Sequence, residues 1–241
     1  MRQLTASLLG LLFPPQCQAC RVGLALSDSR GICESCISRI RWIVPPHCVT
    51  CGRTLVYAAE GRCELCRAGG ETFHFDRAFA CAAYDGPVRD LLRRYKFGRK
   101  TLLEGFIANR LVHFAVKHFK HGDFDAVMAV PLDPARHFFR GFNQSRLLSK
   151  KIAAAMKLKD LSSAAGRKKT GFCQSLLPKK SRKTNVQNVF YLKNRRSLKR
   201  IKKILLVDDI LTSGQTLSEC AKALKEGGAN SVTALAFARA L

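Results

Sequence analysis

The run Ile204-Leu205-Leu206-Val207-Asp208-Asp209-Ile210-Leu211-Thr212-Ser213-Gly214-Gln215-Thr216 constrains the fold more than any other part of the chain. Ile204 to Val207 is an unbroken β-branched and leucine run, which suits a strand buried on both faces. From Leu217 the apolar residues Leu217, Cys220, Ala221 and Leu224 recur at helical spacing, and Gly227-Gly228 stops them. The stretch therefore reads as strand, loop, helix, with the loop at a helix N-terminus. Unpaired N–H groups and the positive end of the helix dipole favour a phosphate there. Thr212, Ser213 and Thr216 add hydroxyl donors, and Gly214 lets the backbone come close. Asp208 and Asp209 precede the loop by about one sugar's length, where carboxylates can accept from adjacent ribose hydroxyls.

This stretch resembles the phosphoribosyl diphosphate (PRPP) motif of type I phosphoribosyltransferases at all thirteen positions. By that resemblance Asp208 and Asp209 bind the ribose hydroxyls, and Thr212, Ser213, Gly214, Gln215 and Thr216 wrap the 5-phosphate. The plainer alternative, a buried strand ending in a solvated turn and a capped helix, leaves two adjacent acids at a strand end without a purpose.

Cysteines organise the first quarter. Cys17-x-x-Cys20, Cys33-x-x-Cys36, Cys48-x-x-Cys51 and Cys63-x-x-Cys66 are four identical pairs separated by twelve, eleven and eleven residues, an internal repeat. Each pair aims two thiolates at one point, and two pairs close a tetrahedral zinc site with no open position for chemistry. Two structural zinc ions are expected. Sequential and crossed pairing of the knuckles both satisfy the spacing. Disulfides would need an oxidising compartment and a signal peptide. Gly31, Gly52 and Gly61, and few large apolar residues, suggest a module held by metal rather than by a core. His47, next to Cys48, is a weak substitute ligand. Cys81 and Cys220 fall on apolar faces and belong to a core, whereas Cys173 lies in a basic stretch.

From Asp76 the texture becomes α/β. Phe79, Cys81 and Ala83 alternate as in a strand, and Val88 to Phe97 and Leu102 to Lys120 read as helices. Ala126 to Val130 is a second buried strand, halted by Pro131 and followed by what reads as an anion loop containing Arg136 and Arg140. A helix from Asn143 to about Lys157 turns Leu147, Leu148, Ile152, Ala155 and Met156 inward. Such alternation implies a parallel sheet whose ligands gather at the strand C-terminal ends. Two units are expected, a zinc module over residues 1–70 and an α/β domain over 76–241. The apolar run Leu8 to Phe13 is too short to span a bilayer, so the chain is expected to be cytoplasmic, with no membrane span.

Val130-Pro131-Leu132, then Arg140-Gly141-Phe142-Asn143-Gln144, then Thr170, Gln174, Leu177, Arg182, Asn185 and Phe190, ahead of the acidic motif and behind four knuckles, resemble the ComF family over nearly the whole chain. One departure is that three residues, Cys173 among them, separate Thr170 from Gln174 where two are expected. The resemblance implies a type I phosphoribosyltransferase fold with a parallel sheet behind a small double zinc ribbon, PRPP as ligand together with Mg²⁺, and a part in natural transformation beside single-stranded DNA and other competence proteins. If the site turns over, Arg136 and Arg140 neutralise the departing diphosphate.

Charge opens a second reading. The chain carries 42 Lys+Arg against 17 Asp+Glu, a net +25, and between Leu161 and Val207 there are fourteen bases and no acid. Such a surplus suits a polyanion, single-stranded DNA above all, held by lysines and by aromatics such as Phe138, Phe139, Phe142 and Phe172. The default place for those rings is the core, and the default account of the charge is a solvated face. A third reading makes the zinc module an adaptor surface for partner proteins.

Overall fold

The computed structural model describes residues 15–25, 27–28, 30–55, 61–69, 72–97, 102–169 and 188–240. The apolar run Leu8 to Phe13 and the middle of the basic stretch, residues 170–187 with Thr170, Phe172, Cys173, Gln174, Leu177, Arg182 and Asn185, lie outside them. Among the described residues, five parallel strands form the central sheet. They are β1 (Arg77–Ala83), β2 (Ala126–Ala129), β3 (Lys159–Asp160), β6 (Lys203–Leu211) and β7 (Ser231–Arg239), in the spatial order β1-β7-β6-β2-β3. A small antiparallel ribbon, β4 (Ala165–Arg167) with β5 (Phe190–Leu192), stands apart from it.

The helices cover both faces, as a parallel sheet requires. Helices α3 (Gly86–Phe97), α4 (Leu102–His118) and α6 (Gln144–Met156) pack one face through Leu91, Leu92, Ile107, Leu111, Leu148 and Ile152. Helix α7 (Gln215–Glu226) and the β4–β5 ribbon pack the other through Leu217, Cys220, Ala221, Leu224 and Phe190. The strand at Arg77–Ala83 is buried along nearly its whole length, so the alternation read at Phe79, Cys81 and Ala83 understated its burial. Cys81 and Cys220 are core residues, 6% and 1% exposed.

Helix α6 departs from expectation in one respect. Leu148 and Ile152 are buried, but Ala155 is exposed and Ala153 takes the inward place. The buried stripe starts with the polar residues Gln144 and Ser145 and includes Ser149. A hydrophobicity pattern cannot see an inward polar face.

The four knuckles fold as two copies of one unit. In each, a glycine with positive φ (Gly31 at 68°, Gly61 at 64°) stands two residues before the third cysteine of its tetrad, and a short helix follows that cysteine: α1 (Glu34–Ser38) and α2 (Glu64–Arg67). The pairing is sequential. Cys17, Cys20, Cys33 and Cys36 form one tetrad, and Cys48, Cys51, Cys63 and Cys66 the other, each with its ligand atoms within 4.8 Å of one another. His47 belongs to neither; its ring meets Phe79 edge-on at 5.6 Å.

The first ribbon is not a coreless module. Cys17, Ile32, Cys36 and Ile40 are buried in the same apolar cluster as α3, α4 and α6, and Trp42 pairs with Ala82 of β1. Scarcity of apolar residues misled here because the ribbon borrows the core of the larger domain. No helix among the described residues is long and apolar enough to cross a membrane.

Candidate functional site

The site lies where the sheet changes direction. β2 passes its chain outward to β3, whereas β6 passes its chain the other way to β7, so the crevice for a ligand opens at the C-terminal ends of β2 and β6. Val130 N–H donates to Val207 O at 2.9 Å, and there β2 stops. β6 does not stop. It runs on through Asp208, Asp209, Ile210 and Leu211 because β7 continues beside it, pairing Asp208 with Ala236 and Leu211 with Arg239. The acids thus stand on an overhang paired on one side only, rather than in a loop after the strand.

Two adjacent strand residues should face opposite ways. Leu205 and Val207 belong to the α3–α4–α6 face and Ile204 and Leu206 to the α7 face, yet Ile210 packs with the first set and Leu211 belongs to the second. The alternation slips by one residue across the acid pair. Asp208 can then be held by Ser145 Oγ at 2.7 Å while Asp209 pairs with Lys96 Nζ at 3.3 Å. Asp209 is 7% exposed. Burial and the neighbouring charge of Asp209 push the Asp208 carboxyl up to about 7, although Ser145 and the Asp209 N–H pull the other way.

The Arg140-to-Gln144 pattern accounts for the next wall. Asn143 caps α6 by accepting from Ser145 N–H at 3.0 Å, and its Nδ2 donates to Val130 O at 3.1 Å, locking the helix start to the end of β2. Gln144 accepts from Tyr95 Oη through its backbone carbonyl at 3.1 Å and from Arg140 Nη1 through Oε1 at 3.3 Å. These bonds draw the end of α3, with Lys96, up to the acids.

The residues expected to form an anion loop instead make a short helix, α5 (Pro134–Arg140). Proline at its first position and Asp133 as cap, accepting from Ala135 N–H at 2.9 Å, specify a helix start. Arg140 is pulled below its usual range by burial and by Arg136, and Arg167 in β4 likewise by burial and by Arg136, both being within the field of Asp208. Arg140 and Arg167 near the acid pair, with Arg136 acting on both, make a strongly anion-attracting mouth. Arg167 also stacks on Phe190, its carbon Cζ 5.3 Å from the ring centre.

Thr212 to Thr216 form the turn into α7. A cleft of about 170 Å³, including its open mouth, is lined by Asp208, Ile210, Leu211, Thr212, Gly214, Thr216 and Leu217. Gly214 starts the helix with φ 82°, a conformation that disfavours other residues, and a Cβ there would sit 2.7 Å from the Phe73 ring. The cap residue Gly214 has no side chain to satisfy the first turn of α7, and Gln215 N–H donates to Ser213 Oγ at 3.4 Å. Ser213 and Thr212 are exposed, and Gln215 and Thr216 half-buried.

Lys96, Ser145 and Arg167 are the site residues that motif reading missed as a set. Lys96 and Ser145 sit at helix termini distant in sequence from the acids, and Arg167 is one of the fourteen bases of the acid-free stretch, with nothing in the sequence to set it apart.

The tetrads fit zinc. Four thiolates at about 2.3 Å from one ion stand about 3.8 Å apart, and the Sγ···Sγ separations are 3.7 Å for Cys20–Cys33 and 3.6 Å for Cys51–Cys63. Burial opposes ionisation of Cys17, yet N–H groups of Cys20, Cys33 and Ala19 directed at its sulfur bring it down to about 6; Cys48 is treated the same way by Cys51, Cys63 and Thr50 and also reaches about 6. Burial pushes Cys36 and Cys51 the other way, and a bound zinc would draw these thiols to thiolates as well.

Comparison with known proteins finds two matching family models. Residues 8–69 match the double zinc ribbon domain and residues 147–240 the phosphoribosyl transferase domain. Competence protein F of Haemophilus influenzae is 30% identical over 229 residues, 93% of this chain and 97% of that protein. DNA utilization protein YhgH of Escherichia coli K12 is 30% identical over 237 residues, covering 96% and 100%. Competence protein ComFC of Streptococcus pneumoniae is 30% identical over 217 residues, covering 90% and 91%. With both of its domains matched and the likeness sustained from end to end, the chain belongs to the ComF family, that of competence protein F and ComFC.

Proposed function

We propose that the cleft binds PRPP with its Mg²⁺ and that the protein serves DNA uptake in natural transformation as a cytoplasmic, phosphoribosyltransferase-like component. Residues 1–70 supply the zinc-held scaffold and residues 76–241 the ribosyl site. The observation that supports the reading is the cleft at the sheet switch point lined by Asp208, Thr212, Gly214 and Thr216, with Arg140 within the field of Asp208, Asp209 and Arg136. The relatives' names, competence protein F and DNA utilization protein, supply the biological setting.

In this reading Asp208 and Asp209 accept from the two ribose hydroxyls, and the loop N–H and hydroxyl groups hold the 5-phosphate. Transfer breaks the bond from C1 to the diphosphate oxygen, which keeps the electron pair, while an acceptor nucleophile bonds to C1. Arg136 and Arg140 stabilise the charge gathering on the diphosphate, joined by Arg167, and positioning rather than covalent chemistry lowers the barrier. Mg²⁺, carried in with the ligand's phosphates, supplies further neutralisation of the leaving group.

One observation favours a second reading, in which PRPP regulates binding of single-stranded DNA without turnover. Phe138 and Phe139, whose default place was the core, are 85% and 71% exposed on α5, beside Arg136 and Arg140. Partly buried Phe142 instead meets Tyr95 edge-on at 6.4 Å.

PRPP with Mg²⁺ should raise the thermal midpoint, and Asp208→Asn with Asp209→Asn should abolish the rise. A double variant that responds as the parent does would place the ligand elsewhere. Diphosphate release on adding an acceptor separates turnover from regulation.

A further inference from the structure

Arg239, at the end of β7, is 0% exposed and is the largest fully buried side chain among the described residues. Its guanidinium donates through Nε to Cys51 O at 3.0 Å, and through Nη1 to Leu211 O at 3.0 Å and to Thr212 O. Cys51 belongs to the second cysteine tetrad, and Leu211 and Thr212 make the passage from β6 into the turn before α7. One side chain thus clasps a zinc knuckle to the loop that lines the cleft.

The clasp has a direction. In a trans peptide the carbonyl and the following N–H point opposite ways. With the carbonyls of Leu211 and Thr212 turned toward Arg239, the N–H groups of Thr212 and Ser213 are turned away from it. Leu211 and Thr212 line the cleft, and Arg239 does not. Leu211 O also accepts from Ala240 N–H at 2.9 Å, so the β6–β7 ladder already fixes the direction at Leu211; at Thr212, past the end of that ladder, the guanidinium sets which way the Ser213 N–H faces, and it adds positive charge beneath the loop.

The two tetrads differ in how they are attached. The first is embedded in the core, with Cys17 and Cys36 in the main apolar cluster. Cys48 and Cys51 are buried too, but outside both apolar clusters. The second ribbon meets the larger domain through Arg239, through the close approach of Gly52 to β1, where a Cβ would stand 2.9 Å from Ala78 O, and through His47 against Phe79. A ribbon joined by a directional polar clasp can transmit its own geometry to the loop; one dissolved in the core supports the whole fold.

We infer that Arg239 is a positioning residue and that the second tetrad, through the Cys51 carbonyl, holds the Leu211–Thr216 loop in its binding geometry, while the first tetrad stabilises the domain generally. The consequence for affinity rests on the PRPP reading; the coupling itself does not.

The test compares the full-length chain with Cys66→Ser (second tetrad), Cys20→Ser (first tetrad) and Arg239→Lys, which keeps the charge but loses the fork. Zinc content should fall from two to one in each cysteine variant and stay at two in Arg239→Lys. Amide hydrogen exchange should accelerate about ten-fold or more at residues 209–217 in Cys66→Ser and Arg239→Lys, with α4 protected as in the parent. Cys20→Ser should do the reverse, loosening α4 and leaving the loop unchanged. Affinity for PRPP with Mg²⁺ should drop about ten-fold in the first two variants and remain within two-fold in Cys20→Ser. Unchanged loop exchange in both Cys66→Ser and Arg239→Lys, or equal loop loosening in Cys20→Ser, overturns the inference. A parent that binds no PRPP overturns the functional reading, and the exchange pattern still decides the coupling.

Discussion

Ser145 Oγ donates to Asp208 Oδ1 at 2.7 Å, tying the first turn of α6 to the strand overhang that carries both acids. The bond favours the ionised carboxyl, but burial and the charge of Asp209 outweigh it and Asp208 is pushed up to about 7. The acid pair remains under electrostatic tension although Lys96 already faces Asp209 and Ser145 faces Asp208, and a further cation or hydrogen-bond donor would relieve it.

That tension sets a pH dependence. Between about pH 4 and 7 the folded protein keeps a proton on Asp208 that the unfolded chain has released, so stability is greatest at the acidic end and falls as pH rises through that window. Asp208→Asn cannot ionise. It should remove the slope and be more stable than the parent at pH 8 by roughly 2–4 kcal/mol, at about 1.4 kcal/mol per pKa unit. Ser145→Ala removes the bond that favours ionisation and should carry the fall in stability on to higher pH. Urea unfolding at pH 5 and pH 8 checks both; a parent equally stable at the two values would contradict the shift.

Zinc should be present at two ions per chain. Cys17→Ser opens a closed site inside the main core, so the loss combines a metal with packing. We expect a cost of several kcal/mol, which for a chain of this size lowers the thermal midpoint by about 10 °C or more. Elemental analysis and a melting curve on the same sample decide it. A variant that keeps two zinc ions would show that the tetrad is not a four-cysteine site.

How much of this was legible follows from the kind of signal each feature leaves. The knuckles, the acid pair and the Gly214 turn were readable because metal geometry, a paired acid and a left-handed glycine each demand particular residues at fixed short spacing. Sequential zinc pairing was not readable, since either arrangement satisfies the same C-x-x-C spacing and only the folded chain brings Cys20 to Cys33. Lys96 and Ser145 were invisible for another reason. Each is an ordinary helix-end residue, and what brings them to the acids is the set of bonds from Asn143 and Gln144 to Val130 and Tyr95. The slip in alternation across Asp208 and Asp209 leaves no trace in composition, because β6 extends only as far as β7 accompanies it. Helix α5 was mistaken for a loop although Asp133-Pro134 is a helix start, because the arginines drew the reading toward an anion site.

The exposed pair Phe138 and Phe139 carries the last prediction. Their rings meet edge to face at 5.9 Å and project from a helix that also bears Arg136 and Arg140, so bases could stack where phosphates are attracted. Stacking does not depend on counterions, whereas each phosphate contact on a single strand contributes about 0.7 to the slope of log affinity against log salt. Phe138→Ala with Phe139→Ala should therefore weaken binding to an unstructured oligonucleotide at every salt concentration, by about 1–3 kcal/mol per stacked base, and leave the slope unchanged. Gln at Lys179, Lys180, Arg182 and Lys183, which belong to the acid-free stretch, should flatten the slope instead. Filter or anisotropy binding from 50 to 300 mM salt separates the two effects. If the phenylalanine variant changes only the slope, the rings are not a stacking platform; if the parent shows no binding at low salt, the surplus of charge is a solvated surface and the ribosyl-transfer reading is strengthened.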